Sequence, residues 1–441
     1  MTQPIQAIRG MNDILPEKTP AWQYLENLLQ SLIQSYGYQE IRLPLLENTA
    51  LFKRAIGEIT DIVEKEMYTF LDRNGDSVSL RPEGTASCVR ACLQNQLLYN
   101  QTQKLWYSGP MFRYERPQKG RYRQFYQLGV EAYGFLGIDI ELEIILMTAH
   151  LWKMLNIETS LSLEINTLGT AEERQAYREM LVAYFKQHID LLDDDSLRRL
   201  EKNPLRILDS KKPELQSVIE KAPRLIEYLQ PESKERFDNL CQLLTKAGIT
   251  FHINTRLVRG LDYYNHTVFE WVTSALGAQG TICAGGRYDS LVSQLSGNAK
   301  NNNTGAFGFG LGVDRLLLFL EEVPEFRKKI PSTLDIFVIF LGNKAQEEGL
   351  LWLQKLRIEM PGYRIGTQSC SNLKSQLKKA DKSGASIALI MGDNEITNQT
   401  VGIKFLREND QTHPQTEVPQ KEATIFLQSH LQSHSKQLNI K

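Results

Sequence analysis

Residues 113–131 read RYERPQKGRYRQFYQLGVE, and this stretch decides how we interpret the fold. The first eleven of these residues include five cations and one carboxylate. Pro117 and Gly120 interrupt any helix here, so the pattern predicts a basic loop between two β-strands. The positive charge of such a loop suits it to binding phosphate groups.

The segment after the loop alternates in polarity, as a half-buried β-strand does. One face carries polar side chains around a glycine: Phe125, Gln127, Gly129, Glu131 and Tyr133. The other face is more apolar: Tyr126, Leu128, Val130 and Ala132. Because a glycine separates the amide from the carboxylate, the polar face has room for a small ligand that Gln127 and Glu131 would hydrogen-bond. A solvated loop beside a strand with one wet side is the alternative interpretation.

The composition limits what the chain can be. Its 441 residues predict two or three domains, and 41% hydrophobic with 23% charged residues is typical of a soluble globular protein. The net charge of −1 provides no global basic field, so any contact with RNA must come from local patches. Because the N-terminus lacks an apolar signal segment and no apolar run could span a bilayer, we expect a cytoplasmic protein without membrane contact.

Cysteine usage argues against a disulfide framework or a zinc site. The five cysteines are scattered and odd in number, and none forms a C-x-x-C pair: Cys88, Cys92, Cys241, Cys283 and Cys370. The first two lie four apart in a helical pattern, where we expect them to pack.

Local patterns predict helices and hairpins in the N-terminal part. An apolar stripe predicts a helix from Glu17 to Tyr36, ended by Gly37. We expect a strand from Ile41 to Leu46, which Pro44 would confine to a sheet edge or an interface. The pair Asn74-Gly75 is a strong hairpin signal. Because hairpins dominate, the sheet should be mainly antiparallel.

The middle and the end of the chain differ from this. Between residues 169 and 247, charged helices separated by prolines predict a helical insertion. After Pro331, strands alternate with helices, which predicts a small α/β domain with a parallel component. Its Lys-rich helix at 372–382 is either a solvated face or a surface for RNA phosphates. Residues 297–305, rich in Asn, should form a surface loop.

Several motifs resemble those of the class II aminoacyl-tRNA synthetases. Phe112-Arg113-Tyr114-Glu115, with its basic loop and aromatic-rich return strand, resembles their second motif. The first and third motifs are matched by YGYQEIRLP at 36–44 and GFGLGVDR at 308–315. Three further stretches, LRPEGT at 80–85, LVRGLDYY at 257–264 and AGGRYD at 284–289, are similar to histidyl-tRNA synthetase and its close relatives. The resemblance runs from Gly10 to about Leu320 and continues more weakly beyond.

The resemblance implies an α+β fold with a class II synthetase-like antiparallel sheet flanked by helices. It divides the chain into the first part of a catalytic core (1–168), a helical insertion over the tRNA acceptor arm (169–247), the second part of the core (248–325) and a C-terminal α/β anticodon-binding domain (331–441). In class II enzymes the N-terminal helix and the strand after it form a dimer interface, so a homodimer is implied.

The implied activity is ATP-dependent activation of L-histidine to histidyl-adenylate, followed by transfer to histidine tRNA, with Mg²⁺ accompanying the ATP. The main alternative is the regulatory subunit of ATP phosphoribosyltransferase. That non-catalytic relative lacks the C-terminal domain and usually loses the ATP-binding arginines. A structural RNA-binding protein is a third possibility, but it would not need Glu83, Gln127 and Glu131 together.

Two anions must meet in the activation step, because the histidine carboxylate attacks the α-phosphate of ATP and expels pyrophosphate. Fixed positive charge and positioning would supply most of the catalysis. By resemblance, Arg113 contacts the α-phosphate and the reacting carboxylate, Arg315 holds the γ-phosphate and Glu115 binds adenine. Arg259 approaches the α-phosphate opposite Arg113, where other class II enzymes use a metal ion. A structural salt bridge to Asp262 is the alternative for Arg259.

The resemblance also assigns residues to the amino acid and to the tRNA. Those near the α-ammonium group are Glu83, Thr85 and Gln127. Those around the imidazole ring are Glu131, Tyr263, Tyr264 and Tyr288, and Arg259 also belongs to the histidine site. The basic loop supplies contacts to the tRNA acceptor end: Arg116, Gln118, Arg121 and Arg123.

One position departs from the family pattern. The third motif normally reads Glu-Arg, whereas this chain has Asp314-Arg315. Aspartate keeps the charge but is shorter, so the contact made from this position is left open. No metal site made of side chains alone is predicted.

Overall fold

The fold comes from a computed structural model, which describes residues 4–57, 60–208, 210, 212–277, 280–297, 304–368, 372–407 and 415–435. Cys370 and residues 298–303 of the predicted Asn-rich loop lie outside the described residues. The chain divides into two compact units. The first unit comprises Met1–Ile14 and Leu25–Phe326, and the second comprises Leu15–Tyr24 and Arg327–Lys441.

The α-helices of the described residues are α1 (Thr19–Ser35), α2 (Thr49–Ile56), α3 (Thr85–Gln94), α4 (Asp139–Met154), α5 (Ala171–Lys186), α6 (Asp194–Lys202), α7 (Pro213–Glu220), α8 (Pro231–Lys246), α9 (Asp289–Ser296), α10 (Val313–Leu320), α11 (Pro324–Lys329), α12 (Asn343–Glu359), α13 (Leu373–Lys382), α14 (Asp393–Asn398) and α15 (Ala423–Ser435). Within the parts of the chain that the structure covers, no helix has the length and apolar character needed to cross a bilayer.

The strands are β1 (Gln39–Glu40), β2 (Leu46–Asn48), β3 (Thr69–Leu71), β4 (Ser77–Leu80), β5 (Gln103–Phe112), β6 (Gln124–Tyr133), β7 (Ser162–Thr167), β8 (Phe251–Ile253), β9 (Asn265–Val272), β10 (Thr281–Arg287), β11 (Ala306–Gly312), β12 (Ile336–Leu341), β13 (Ile365–Thr367), β14 (Ile387–Gly392), β15 (Thr400–Phe405) and β16 (Thr416–Pro419).

The first unit is organised around an eight-stranded sheet in the order β1-β5-β6-β11-β10-β9-β7-β8. Its five inner pairings are antiparallel, and the pairs β1–β5 and β7–β8 at its two edges are parallel. A second, antiparallel sheet has the order β2-β4-β3. The predicted α+β class with a mainly antiparallel sheet is therefore confirmed.

Local sequence signals explain where several elements begin and turn. The hairpin predicted from Asn74-Gly75 connects β3 to β4, and Gly75 adopts a φ of 89°, which suits glycine. The Asn48 side chain caps α2 by accepting a hydrogen bond from Ala50 NH at 2.9 Å. At the start of α5, Thr170 and Glu173 form a reciprocal capping box. Short-range chemistry thus fixes these boundaries.

The prediction of a strand from Ile41 to Leu46 is wrong. The chain forms β1 at Gln39–Glu40, runs without regular structure through residues 41–45, and enters a different sheet at β2. The reason is a buried guanidinium, because Arg81 donates to the carbonyls of Leu43 and Pro44 at 3.1 and 3.5 Å. These carbonyl groups accept hydrogen bonds from an arginine instead of from a neighbouring strand.

The second unit contains a mixed sheet in the order β13-β12-β14-β15-β16. The strands β13, β12 and β14 are parallel, whereas β15 and β16 join antiparallel. The apolar strand β12 is buried on both faces, with Ile336 and Val338 in one core cluster and Phe337 and Ile339 in another. This confirms an α/β unit with a parallel component.

A buried ion-pair network links helices to the sheet of the first unit. The Glu141 carboxylate of α4 is fully buried and accepts hydrogen bonds from Arg287 Nε at 2.7 Å and from Arg236 of α8 at 2.6 Å. Arg287 also donates to the Asp289 carboxylate at 3.0 Å and to the carbonyl of Gly137 at 2.9 Å. Burial opposes ionisation, but Arg287 and Arg236 hold the pKa of Glu141 below its usual range.

Removing Arg287 should leave the buried Glu141 carboxylate only partly compensated, by Arg236. We expect Arg287→Met to lower the free energy of unfolding by about 3–5 kcal/mol, as measured by urea denaturation. Arg42→Ala serves as the control, because Arg42 forms an exposed ion pair with Glu40, and it should leave the urea midpoint unchanged. Equal effects of the two substitutions would contradict this account of the network.

Candidate active site

The basic loop lies where the sequence places it, between two long antiparallel strands. Phe112 of β5 pairs with Gln124 of β6, so residues 113–123 form the connection. At its tip, Gln118 and Arg121 exchange backbone hydrogen bonds of 3.0 and 2.9 Å, and Gly120 has a φ of 76°. The loop is therefore a narrow extension of the hairpin, with its cations along both arms.

Glycines of β11 make space for the polar face of β6. Gly308 is paired with Glu131, and a Cβ added at this glycine would collide with the Glu131 carboxylate. A Cβ at Gly310 would likewise collide with the Gln127 amide. The glycine run of the third motif thus lets two polar side chains lie across a neighbouring strand.

Glu131 is a buried carboxylate held by three hydroxyl groups. It is 1% exposed and accepts hydrogen bonds from Thr85 Oγ1 at 2.8 Å, from the Tyr107 hydroxyl at 3.0 Å and from the Tyr288 hydroxyl. Burial raises the pKa of Glu131 to about 7, although these hydroxyl donors oppose the rise. The carboxyl group therefore changes its protonation state near neutral pH.

Aromatic side chains surround this carboxylate. Tyr263, Tyr264 and Tyr288 are buried, with ring centroids 4.7 to 6.3 Å apart. The Tyr107 ring fits against two glycines, because a Cβ at Gly84 or at Gly129 would collide with it. The structure thus brings the predicted tyrosines into one cluster and adds Tyr107 to it.

Glu83 and Thr85 lie beside this cluster, but Glu83 has a structural role as well. Its two carboxylate oxygens accept hydrogen bonds from the backbone NH groups of Thr85 at 2.7 Å and Ala86 at 2.9 Å. These NH groups belong to the first turn of α3, so Glu83 caps this helix. Burial nevertheless raises the pKa of Glu83.

Three distant arginines meet in one cavity. Arg113 follows β5, Arg259 belongs to the segment before β9, and Arg315 lies in α10, yet all three line a cavity of 290 Å³. Glu115 and Gln127 line it too. The cavity therefore collects the residues predicted for ATP together with Gln127 and Arg259, two of those predicted for histidine.

Arg113 and Arg315 are anchored through backbone carbonyls. Arg113 donates from Nε to Pro82 O at 2.9 Å, and its guanidinium lies 5.4 Å from the centre of the Phe125 ring. Arg315 donates to the carbonyls of Gly120 at 2.9 Å and Thr281 at 3.0 Å. Burial, with repulsion from Arg113 and Arg121, lowers the pKa of Arg315 to about 10. This arginine remains a cation at neutral pH.

The alternative considered for Arg259, a salt bridge to Asp262, is wrong. Arg259 pairs instead with the Glu270 carboxylate of β9, and its guanidinium lies 5.8 Å from the centre of the Tyr264 ring. Asp262 accepts a hydrogen bond from Asn203 at 2.9 Å. The Arg259 Nε and the Gln127 Oε1 are buried without hydrogen-bond partners among the described residues, as expected of groups that await a ligand.

The four loop residues predicted for tRNA fall into two groups. Arg116 and Gln118 are exposed. Arg121, in contrast, forms an ion pair with Glu115. Arg123 donates to Glu115 O at 3.1 Å and stacks on the Tyr114 ring, with a separation of 3.8 Å. The last two are partly exposed and also support Glu115 from within the loop.

Some site residues were missed by sequence reasoning. Glu270 pairs with Arg259 and accepts a hydrogen bond from Thr281 Oγ1 at 2.9 Å. The feature of the sequence that could have identified Glu270 is that it is the single acidic residue in the strand 265–272. Asp314, whose contact was left open, accepts a hydrogen bond from Tyr126 NH at 2.5 Å, and burial raises its pKa to about 6.

Comparisons with known proteins agree with this geometry. The family model described as "Histidyl-tRNA synthetase" matches residues 10–316. The apo histidyl-tRNA synthetase of S. aureus is 34% identical, with 96% of this chain and 100% of that chain covered and a TM-score of 0.77. The histidyl-tRNA synthetase of Nostoc sp. PCC 7120 is 19% identical over 97% of this chain and 100% of its own, with a TM-score of 0.68.

A Bacillus halodurans protein described as an ATP phosphoribosyltransferase regulatory subunit/histidyl-tRNA synthetase is also similar in fold. It is 21% identical, with 88% of this chain and 99% of that chain covered and a TM-score of 0.60. The fold is thus shared by proteins whose names differ in function, so the side chains of the site must distinguish between them.

The raised pKa of Glu131 should be visible in protein stability. The folded state holds the proton up to about pH 7, whereas the unfolded chain releases it near 4.5. Stability from this group is therefore complete below about pH 4.5 and is lost as the pH rises through about 7. Between these limits, the free energy of unfolding of the wild type should fall relative to Glu131→Gln by about 3 kcal/mol. A difference that is constant with pH in urea denaturation would refute the shift.

Proposed function

Because the chain belongs to the histidyl-tRNA synthetase family, we propose that it activates L-histidine with ATP and transfers the histidyl group to histidine tRNA. The observation that supports this most is the single cavity lined by Arg113, Arg259 and Arg315. Guanidinium groups remain charged and bind phosphate oxygens in bidentate fashion. A cavity with three of them suits a triphosphate.

In this proposal the arginines bring two anions together. Arg113 and Arg259 contact the α-phosphate from opposite sides, and Arg113 also contacts the attacking carboxylate. Arg315 binds the γ-phosphate, and Glu115, held by Arg121, contacts the adenine. Catalysis then comes from positioning and from fixed positive charge where negative charge develops in the transition state.

Mg²⁺ enters this proposal with the nucleotide, where it would neutralise phosphate charge. Within the described ranges, no three His, Cys, Asp or Glu side chains gather as a metal site. Glu270 and Asp314 lie in the cavity, but the first is paired with Arg259 and the second accepts a backbone NH. We therefore expect phosphate oxygens and water to supply most ligands of the ion.

Histidine specificity would come from Glu131 and the tyrosine cluster. Burial raises the pKa of Glu131 to about 7, so its carboxyl group can either donate a hydrogen bond to a nitrogen of the imidazole ring or accept one from it. Gln127, Thr85 and Glu83 would lie nearer the α-ammonium group. A substrate without ring NH groups would gain no hydrogen bond from Glu131, and sites that read such groups discriminate by factors of roughly 10⁴.

The remaining proposals concern partners. We propose that the helices α5 to α8 lie near the acceptor arm, and that the second unit binds the anticodon region through α13. In that helix, Lys374, Lys378 and Lys382 are exposed and four residues apart, so they share one face. A homodimer formed through α1 and residues 36–44, and a cytoplasmic location, complete the proposal.

A regulatory subunit of ATP phosphoribosyltransferase is the second candidate, because one structure of similar fold bears that description. The cavity lined by three arginines favours the enzyme, because the regulatory relative usually loses the ATP-binding arginines. Charging of total tRNA with radioactive histidine tests the choice directly: the enzyme forms histidyl-tRNA in an ATP-dependent reaction, and the regulatory protein forms none.

Arg259 provides the sharpest test of the activation step. Arg259→Ala should lower kcat of histidine-dependent ATP–pyrophosphate exchange by about 10²-fold or more, because fixed charge at the reacting phosphate is lost. Arg256→Ala is a matched control in the same segment, since Arg256 is partly exposed and lies 4.0 Å from Glu220. Near-normal exchange by the Arg259 variant would end the assignment.

The basic loop should separate activation from transfer. Arg116→Ala should reduce kcat/KM for tRNA charging by about tenfold, the effect of one lost charge-assisted contact, and leave pyrophosphate exchange unchanged. Arg121→Ala should reduce both reactions, because Arg121 holds Glu115 at the cavity. If Arg121→Ala spared exchange while charging fell, the supporting role of this arginine would be wrong.

A further inference from the structure

The segment that carries Arg259 has no regular secondary structure of its own. Residues 254–264 connect β8 to β9 outside any helix or strand. The backbone NH of Asp262 donates to Ile56 O at 3.3 Å, and Asn166 Nδ2 donates to Leu257 O at 3.0 Å. Contacts with other parts of the molecule must therefore hold the backbone of this segment around Arg259 in place.

Arg206 supplies one such contact immediately next to Arg259. It lies in the short 3₁₀ turn Pro204–Ile207 after α6, and its guanidinium donates to Gly260 O at 2.5 Å. The same guanidinium lies 3.7 Å from the Asp262 carboxylate, which also accepts the hydrogen bond from Asn203. Arg206 and Asn203, both in the helical segment, therefore contact the chain just after Arg259.

Arg174 supplies a second contact at the far end of the segment. It lies in the first turns of α5 and donates a hydrogen bond to the carbonyl of Tyr264. Burial lowers the pKa of Arg174, with partial compensation by the Asp262 carboxylate. A desolvated guanidinium on a backbone carbonyl holds that peptide group firmly.

These contacts surround a second cavity behind Arg259. Its volume is 260 Å³, and its walls include Arg174, Asn203, Arg206 and Asp262. Arg259 lines this cavity as well as the one that holds Arg113 and Arg315. It therefore lies in the wall between the two cavities, so a shift of the segment toward the second cavity would withdraw its guanidinium from the first.

We propose that Arg206 and Arg174 are positioning residues, which hold residues 257–264 so that the Arg259 guanidinium stays beside those of Arg113 and Arg315. The inference rests on the proposed function, because it assigns the helical segment a part in amino acid activation. Through these two side chains, the segment between β7 and β8 controls the activation step as well as any contact it makes with tRNA.

A double-mutant cycle tests the proposal in the full-length protein. Arg206→Ala should lower kcat of pyrophosphate exchange about tenfold and change KM for ATP less than about twofold, since the contact matters most in the transition state. In the Arg259→Ala background, the same substitution should lower kcat no further, because Arg206 acts through Arg259. A tenfold loss in both backgrounds would overturn the proposal.

Two further variants separate positioning from folding. Arg206→Lys keeps a cation beside Asp262 and should recover at least half of the lost rate. Arg224→Ala, which removes an exposed arginine of the same helical segment, should match the wild type. An Arg206→Lys variant as slow as Arg206→Ala, together with a lowered Tm, would indicate a purely structural role and overturn the proposal.

Hydrogen–deuterium exchange provides a readout that does not depend on activity. Amides of residues 255–264 should exchange at least tenfold faster in Arg206→Ala than in Arg224→Ala. If the wild type showed no pyrophosphate exchange, the proposed function would fail, and the role in activation would fail with it. If the wild type were active and these amides exchanged equally in both variants, only the positioning role would be overturned.

Discussion

The gathering of three guanidinium groups in one cavity is the constraint that the first unit must satisfy. Arg113, Arg259 and Arg315 come from three distant parts of the chain and line one cavity. Burial, with repulsion from Arg113 and Arg121, lowers the pKa of Arg315 to about 10, so its charged form is disfavoured in this place. The fold offsets this by fixing each guanidinium through carbonyls or a carboxylate, and an anionic ligand would relieve what remains.

The sheet provides the rigidity that such an arrangement needs. Arg113 follows β5, Glu270 projects from β9 to pair with Arg259, and Arg315 lies in the first turn of α10 after β11. Glycines in β11 allow the side chains of β6 to lie across the sheet, so the Glu131 carboxylate can be buried among the hydroxyl groups that donate to it. The sheet thus holds the arginines and the Glu131 carboxylate at separate positions.

Local patterns were sufficient to predict much of this fold. The β5–β6 hairpin followed from Pro117, Gly120 and the alternation after them, and the β3–β4 turn followed from Asn74-Gly75. The Ile41–Leu46 strand failed because Arg81, far along the chain, binds the carbonyls that a strand would use. Local strand propensity contains no information about a hydrogen-bond partner so distant in sequence.

The site shows the same limit. Motifs identified Arg113, Arg259 and Arg315, and the structure brings them together. A salt bridge to Asp262 was only the alternative considered for Arg259, and the structure instead pairs this arginine with Glu270 of β9, while Asp262 contacts Asn203 of the helical segment. Similarly, nothing in the loop sequence indicated that Arg121 pairs with Glu115 while Arg116 is exposed. Side-chain pairing depends on tertiary geometry that a linear pattern does not contain.

We propose that these guanidinium groups converge on one nucleotide beside a histidine pocket. A crystal structure of the chain with histidine and a non-hydrolysable ATP analogue tests it most directly. We expect the α-phosphate within about 4 Å of both Arg113 and Arg259, the γ-phosphate at Arg315 and the imidazole ring against Glu131. A nucleotide bound elsewhere, or an imidazole ring that does not approach Glu131, would contradict it.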